Sequence, residues 1–137
     1  MTAPTETPVA GLTAADLMTR DVVVASEADS LASAWELMVR GRFHHLPIMR
    51  GELCVGLLDD RTLVHVWSPG SLSRTRRCLG ELLSPRPPTV GPATPLVELA
   101  RRMQDYGTDA LLVVDIDGRL MGVVTVTDVV AALAGIG

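Results

Sequence analysis

Thr125 and Asp128 stand three residues apart in GVVTVTDVV, Gly122–Val130. The same frame occurs earlier as GLLDDRTLV, Gly56–Val64, but with Asp59 in the place of Thr125 and Thr62 in the place of Asp128. Each frame reads as a strand running into a helix, so the first residue of each pair falls at the helix cap. There a threonine hydroxyl accepts from an orphan backbone N–H, and an aspartate three residues on reaches back to the cap, an exchange that contributes about 1 kcal/mol. The same geometry supports a second chemistry. The first turn offers unpaired N–H groups and the positive end of the helix dipole to an anion, and a carboxylate beside it can accept from both ribose hydroxyls. Capping tolerates either order of the two residues, whereas anion binding does not. Asp59 would put its charge into the anion site, where repulsion from a phosphate at about 4 Å amounts to several kcal/mol at a surface-like dielectric. Thr62 offers one hydroxyl where a carboxylate could take two contacts. The order predicts one competent nucleotide site, in the second copy, and one degenerate site.

The elements that must position these residues are also written twice. Shifted by 65 places, Asp16-Leu17-Met18-Thr19 falls on Glu81-Leu82-Leu83-Ser84, and Leu31, Ala34, Trp35 and Met38 fall on Leu96, Leu99, Ala100 and Met103. Both apolar sets run i, i+3, i+4, i+7, one face of an amphipathic helix. Asp29 and Thr94 are placed to cap these helices, Pro95 suits a first helical residue, and Gly41 and Gly107 lie where helices end. HHLPIM (His44–Met49) and DALLVVD (Asp109–Asp115) read as strands, followed by turns at Arg50–Glu52 and Asp115–Arg119. Strands at Leu53–Leu58 and Leu120–Val124 then lead into final helices, Arg61 to about Trp67 and Thr127 to about Ala134. Opening strands are expected at Asp21–Ala25 and around Pro88–Val90. The fold class is therefore α/β (α+β), with two β-α-β-β-α repeats packed as a pseudo-twofold pair. The segments are a disordered tail at 1–11, repeats at 12–67 and 79–137, and a polar linker at 68–78. A unit of this size is marginal alone, so the two copies are expected to share a core.

Composition narrows the function. The chain of 137 residues is 47% hydrophobic and 3% aromatic with a formal charge of −4, which disfavours base-stacking and phosphate-backbone binding, so no nucleic-acid partner is expected. The N-terminus lacks the basic start and apolar core of a signal peptide, and no apolar run is long enough to span a membrane. Cys54 and Cys78 form no disulfide framework, which points to a reducing, cytoplasmic setting. His44 and His45 point to opposite faces of a strand, so zinc would need Cys54 or His65 as well, and no metal site is assigned. Arg74, Arg76 and Arg77 form a small basic cluster, read as a solvated loop that could also supply one Arg to a phosphate. No nucleophile elbow, HExxH or P-loop is present, so the chain is read as non-enzymatic.

In duplicate and in order, DLMT, the helix, HHLPI, DxDG and the Gly-h-h-Thr-x-x-Asp ending resemble a tandem of CBS (cystathionine-β-synthase-type) domains, a Bateman module, over Leu12 to Ala134. The resemblance implies a regulatory fold that requires no cofactor. It implies an adenine nucleotide (AMP, ADP or ATP) or S-adenosylmethionine as regulatory ligand in the cleft between repeats. It also implies association as a homodimer, to which Trp35 and Trp67 could contribute, and an unidentified regulated protein. Carried onto this chain, it places Thr125 at phosphate and Asp128 at ribose, with Thr89 and Val90 from the opening strand and Asp109, Ala110 and Leu111 beside the adenine. Two residues depart from the pattern. Leu112 stands where Pro47 keeps the family's proline, and Asp109 brings a carboxylate that would favour a less negative ligand. The alternative is a ligand-free interaction module in which Thr125 and Asp128 only cap a helix, or, further off, a zinc-binding CBS protein. Calorimetric titration with AMP or ATP is expected to saturate at one equivalent per chain; a second equivalent at the Asp59 site would contradict the charge argument.

Overall fold

The computed structural model describes residues 11–42, 44–61, 79–81 and 88–135. Within the first repeat, the apolar stripe forms helix α2, Leu31–Gly41, which buries Leu31, Ala34 and Met38. Ser30 caps it by accepting from the Ser33 N–H at 3.1 Å. Strands β2 (His45–Arg50) and β3 (Leu53–Asp59) pair antiparallel, and β1 (Ala25–Ser26) joins β2 in parallel, giving the order β1-β2-β3. The second repeat builds the same sheet from β4 (Thr89–Val90), β5 (Ala110–Val114) and β6 (Leu120–Thr125). Helix α3, Leu96–Tyr106, lies between β4 and β5, and helix α4, Val126–Ala134, follows β6. The hairpin bulges fall at Ile48/Met49 and Val113/Val114, the same place in both copies.

Opening segments of the two repeats do not stay with the sequence that follows them. Helix α1, Ala14–Leu17, donates from Ala14 N–H to the Thr94 carbonyl at 2.8 Å and from Ala15 N–H to the Pro92 carbonyl at 2.9 Å. Ala14 and Met18 are buried in one core with Val90, Leu96, Leu99, Met103, Leu111, Val113, Val124 and Val129. The 3-10 turn Leu79–Glu81 does the reverse: Leu79 N–H donates to the Asp29 carbonyl at 2.8 Å and Gly80 N–H to the Glu27 carbonyl at 2.9 Å. These are the same two bonds shifted by 65 residues. Leu79 is fully buried among Ala25, Leu31, Ala34, Met38, Leu46, Ile48 and Leu58. The compact units are accordingly Val22–Pro87 and Met1–Asp21 with Pro88–Gly137, so they run across the sequence repeats.

Gly122 marks how tightly the opening segment docks. Thr19 and Val123 exchange backbone bonds of 2.9 and 3.1 Å, and a Cβ on Gly122 would lie 2.6 Å from the Thr19 carbonyl oxygen and 2.9 Å from the Met18 sulfur. The glycine that begins the repeated frame is there for backbone approach.

Several boundaries differ from expectation. The first opening strand is Ala25–Ser26, not Asp21–Ala25. In the second repeat the Leu112 N–H bonds the Pro88 carbonyl at 3.2 Å, but its counterpart Pro47 has no N–H to donate to Val23, so the ladder starts later. The caps are Ser30 and Pro95, one residue beyond Asp29 and Thr94. Asp29 instead accepts from the Ser26 N–H at 2.9 Å, and the Leu96 N–H bonds the Leu12 carbonyl at 2.9 Å. Gly41 is the last residue of α2, and Arg42 takes the left-handed conformation (φ 54°) that Gly107 takes after α3 (φ 62°). The first final helix is described only at Asp60 and Arg61. Its remainder to Trp67, the 68–78 linker with its arginines, and the tail before Gly11 lie outside the described residues.

Two stability outcomes follow from these contacts. Arg42→Gly is expected to stabilise by about 1 kcal/mol, because a left-handed backbone costs an L-residue about that much. Gly122→Ala is expected to destabilise by about 1–3 kcal/mol as the opening segment is forced off β6. Urea midpoints at constant slope would check both.

Candidate functional site

Thr125 ends β6 opposite Ala110, the first residue of β5, and Leu111 pairs with Val124. The chain is held there by a 2.9 Å bond from the Val126 N–H to the Asp109 carbonyl. Asp109, Ala110, Thr125 and Asp128 are thereby gathered at one end of the β5–β6 hairpin. Thr125 is the N-cap of α4, in extended backbone, and its Oγ1 accepts from the Asp128 N–H at 3.2 Å. Asp128 Oδ2 accepts in return from the Thr125 N–H at 2.8 Å. The cap is thus physically present. It commits one carboxylate oxygen and one hydroxyl lone pair. Asp128 Oδ1 and the Thr125 hydroxyl proton take no hydrogen bond among the described residues, and both residues are half-buried. A half-buried carboxylate with one open oxygen suits a neutral donor such as a sugar hydroxyl.

The same Thr-x-x-Asp exchange occurs at α1, where the Thr13 N–H donates to Asp16 Oδ2 at 2.9 Å. That box starts a helix of only four residues, so the spacing alone does not make a site. What sets Thr125–Asp128 apart is its place beside the first residues of β5.

The remaining expected residues are placed differently. Val90 and Leu111 are buried in the core and can offer a ligand only backbone or wall. Thr89 is exposed and pairs with Leu112, two residues further along β5 than Ala110, and with Val90 it lines a separate depression with Gly91, Pro92 and Thr94. Asp109 is exposed at the hairpin end.

At the matching place in the first repeat, Asp59 pairs with His45, and the Asp60 N–H bonds the His44 carbonyl at 3.0 Å. Its side chains add a contact that sequence reasoning missed: His44 Nδ1 lies 2.7 Å from Asp60 Oδ2. The repeat offered a signal, since 44/60 corresponds to 109/126, but nothing in Asp109 or Val126 suggests a pair. Thr62 lies outside the described residues. Among the described residues no three His, Cys, Asp or Glu side chains could together hold a metal ion. Cys54 is half-buried and donates to the Gly56 carbonyl at 3.3 Å; burial pushes its thiol pKa up, away from a reactive thiolate.

Comparison with known proteins agrees with this layout. The sequence profile of the CBS domain matches residues 14–68 and again residues 79–135. Inosine-5'-monophosphate dehydrogenase of Korarchaeum cryptofilum (strain OPF8) is 34% identical over 110 residues, 80% of this chain and 22% of that enzyme. The chain thus spans about a fifth of the length of the curated relatives it matches. The crystal structure of CBSX2 in complex with AMP superposes with a TM-score of 0.80 at 31% identity, covering 92% of this chain and 98% of that one. The cytosolic domain of the Mg2+ channel MgtE in complex with ATP gives 0.72 at 28% identity, covering 85% and 46%.

The two roles of Asp128 are separable by substitution. Asp128→Ala is expected to cost about 1 kcal/mol of stability, whereas Asp128→Asn, which keeps an oxygen for the Thr125 N–H, should stay close to wild type in urea unfolding.

Proposed function

This chain belongs to the CBS domain family, and from that premise we propose that it is a regulatory module that binds an adenine nucleotide at the Thr125–Asp128 cap of its second repeat. Asp128 Oδ1 accepts from the ribose, the Thr125 hydroxyl and the first turn of α4 meet the phosphate, and the base lies against the Asp109–Leu111 end of β5. The observation that carries this reading is the cap itself, which orients both side chains yet leaves each one contact to give. CBSX2, 31% identical, was crystallised with AMP, and MgtE, 28% identical, with ATP, which supports AMP or ATP as the ligand class. S-adenosylmethionine is the third candidate.

We further propose that the module is non-catalytic, acts in the cytoplasm, and passes its occupancy to a regulated protein by favouring one arrangement of its elements over another. No helix among the described residues is long and apolar enough to cross a membrane. A homodimer is supported by apolar side chains left exposed on the helices, including Trp35 and Val39 on α2 and Val126, Val130 and Leu133 on α4. The mutual satisfaction of Thr125 and Asp128 favours a second reading, an interaction module that binds no small molecule.

Thermal shift and calorimetry with AMP, ADP, ATP and S-adenosylmethionine separate the two. Saturable binding is expected for at least one, weakened about tenfold or more by Asp128→Asn at unchanged stability, because a carboxylate is the stronger acceptor. If none of the four shifts melting at millimolar concentration, the sensing role is lost and the interaction module stands.

A further inference from the structure

Superposing the repeats by their 65-residue shift exposes one pair of surfaces that differs without any demand from core or cap. In the first repeat, Arg50 at the end of β2 donates from Nε and Nη2 to the two carboxylate oxygens of Glu27 at 2.7 and 2.9 Å. This bidentate pair ties β2 to the residue after β1. The corresponding positions in the second repeat are Asp115 and Pro92, which cannot pair, and Leu37 of α2 corresponds to Arg102 of α3. There the surface is a depression of about 480 Å³, lined by Thr89, Pro92, Arg102, Val114 and Asp115 among others.

Arg102 and Asp115 face the same depression without forming an ion pair. Arg102 gives Nε to Glu98 Oε1 at 3.3 Å, and its two terminal nitrogens take no partner among the described residues. Asp115 commits Oδ1 to the Asp117 and Arg119 N–H groups, each at 2.9 Å, and leaves Oδ2 open. Charges of both signs thus retain hydrogen-bonding capacity around one cavity, with Val90, Pro92 and Val114 as apolar wall and the Thr89 and Thr94 hydroxyls at hand.

We propose that this depression binds a free α-amino acid with an aliphatic side chain, its carboxylate on Arg102 and its ammonium on Asp115. A phosphate would meet Asp115 and a simple cation would meet Arg102, whereas a zwitterion satisfies both. Arginine suits a planar carboxylate, and the volume falls within the range of small-molecule sites. The site sits at the opposite end of β5 from Thr125–Asp128, about 15 Å along the strand, so it does not depend on the nucleotide reading.

Backbone NMR shifts and calorimetry on the full chain, titrated with L-leucine, L-methionine, leucinamide and N-acetyl-L-leucine, test it. Leucine or methionine is expected to bind saturably with shifts at Thr89–Thr94 and Val114–Ile116. Leucinamide lacks the carboxylate and N-acetyl-leucine the ammonium, and each should bind about tenfold or more weakly. Arg102→Leu, the residue the first repeat carries, should weaken amino-acid binding to a similar extent. So should Asp115→Asn, which keeps an oxygen for the turn. Both should leave the response to AMP as in wild type. The proposal is overturned if neither amino acid perturbs these resonances at millimolar concentration, if the blocked compounds bind as well as leucine, or if both variants bind as wild type does.

Discussion

Neither repeat closes its own core, and this constraint organises the rest of the molecule. The second-repeat core is completed by Ala14 and Met18, the first-repeat core by Leu79, and each graft is fastened by the same two backbone bonds. A unit of about 55 residues is marginal by itself, so exchanging one apolar turn adds core that it does not build from local sequence. The graft reaches the candidate site directly. Thr19 bonds Val123, two residues before Thr125, and the absent side chain of Gly122 lets the two backbones meet. The strand that presents the cap is therefore held between β5 on one edge and the opening segment on the other.

Backbone symmetry and side-chain chemistry have parted company. The sheets share strand order, bulge position and the bond that ties the residue after the last strand to the start of the hairpin. What differs is confined to places where a side chain decides an interaction. Pro47 against Leu112 removes a donor and starts the parallel ladder one residue later, and Glu27–Arg50 against Pro92–Asp115 exchanges an ion pair for an open depression. Arg42 against Gly107 exchanges a strained cap for a relaxed one. Substitutions of this sort leave the fold alone because Pro47 and Leu112 are both buried apolar side chains and the other positions lie outside the buried set.

That buried set was legible in the sequence. The i, i+3, i+4, i+7 stripes mark Leu31, Ala34 and Met38, and Leu96, Leu99 and Met103, as inward, and all are buried. Trp35 and Ala100, given to the same stripes, are exposed, because a helix on one face of a small sheet buries a narrower arc than the pattern allows. Exchange of the opening segments was not legible, since DLMT has the same local pattern whichever core it enters and only long-range closure decides. The helix caps were off by one residue for a related reason. Ser30 and Asp29 are both competent caps, and the choice falls to Ser26, whose N–H takes the Asp29 carboxylate. At the site, the Thr125–Asp128 exchange could be read from spacing, while the His44–Asp60 contact depends on a strand register that spacing does not specify.

Capping and binding at Thr125–Asp128 are not rival uses of the same atoms. The cap consumes Oδ2 of Asp128 and a lone pair of Thr125, and a ligand would take Oδ1 and the hydroxyl proton. The cap is worth about 1 kcal/mol and would be worth as much with the residues reversed, as Asp59 and Thr62 reverse them. Stability therefore gives no preference between the two orders. A phosphate does, by several kcal/mol, because a carboxylate in the cap position would share its space. The neutral hydroxyl at the cap and the carboxylate one turn inward form the arrangement in which the Thr125 and Asp128 N–H groups are paired by the cap while no negative charge occupies the helix start where an anion would sit.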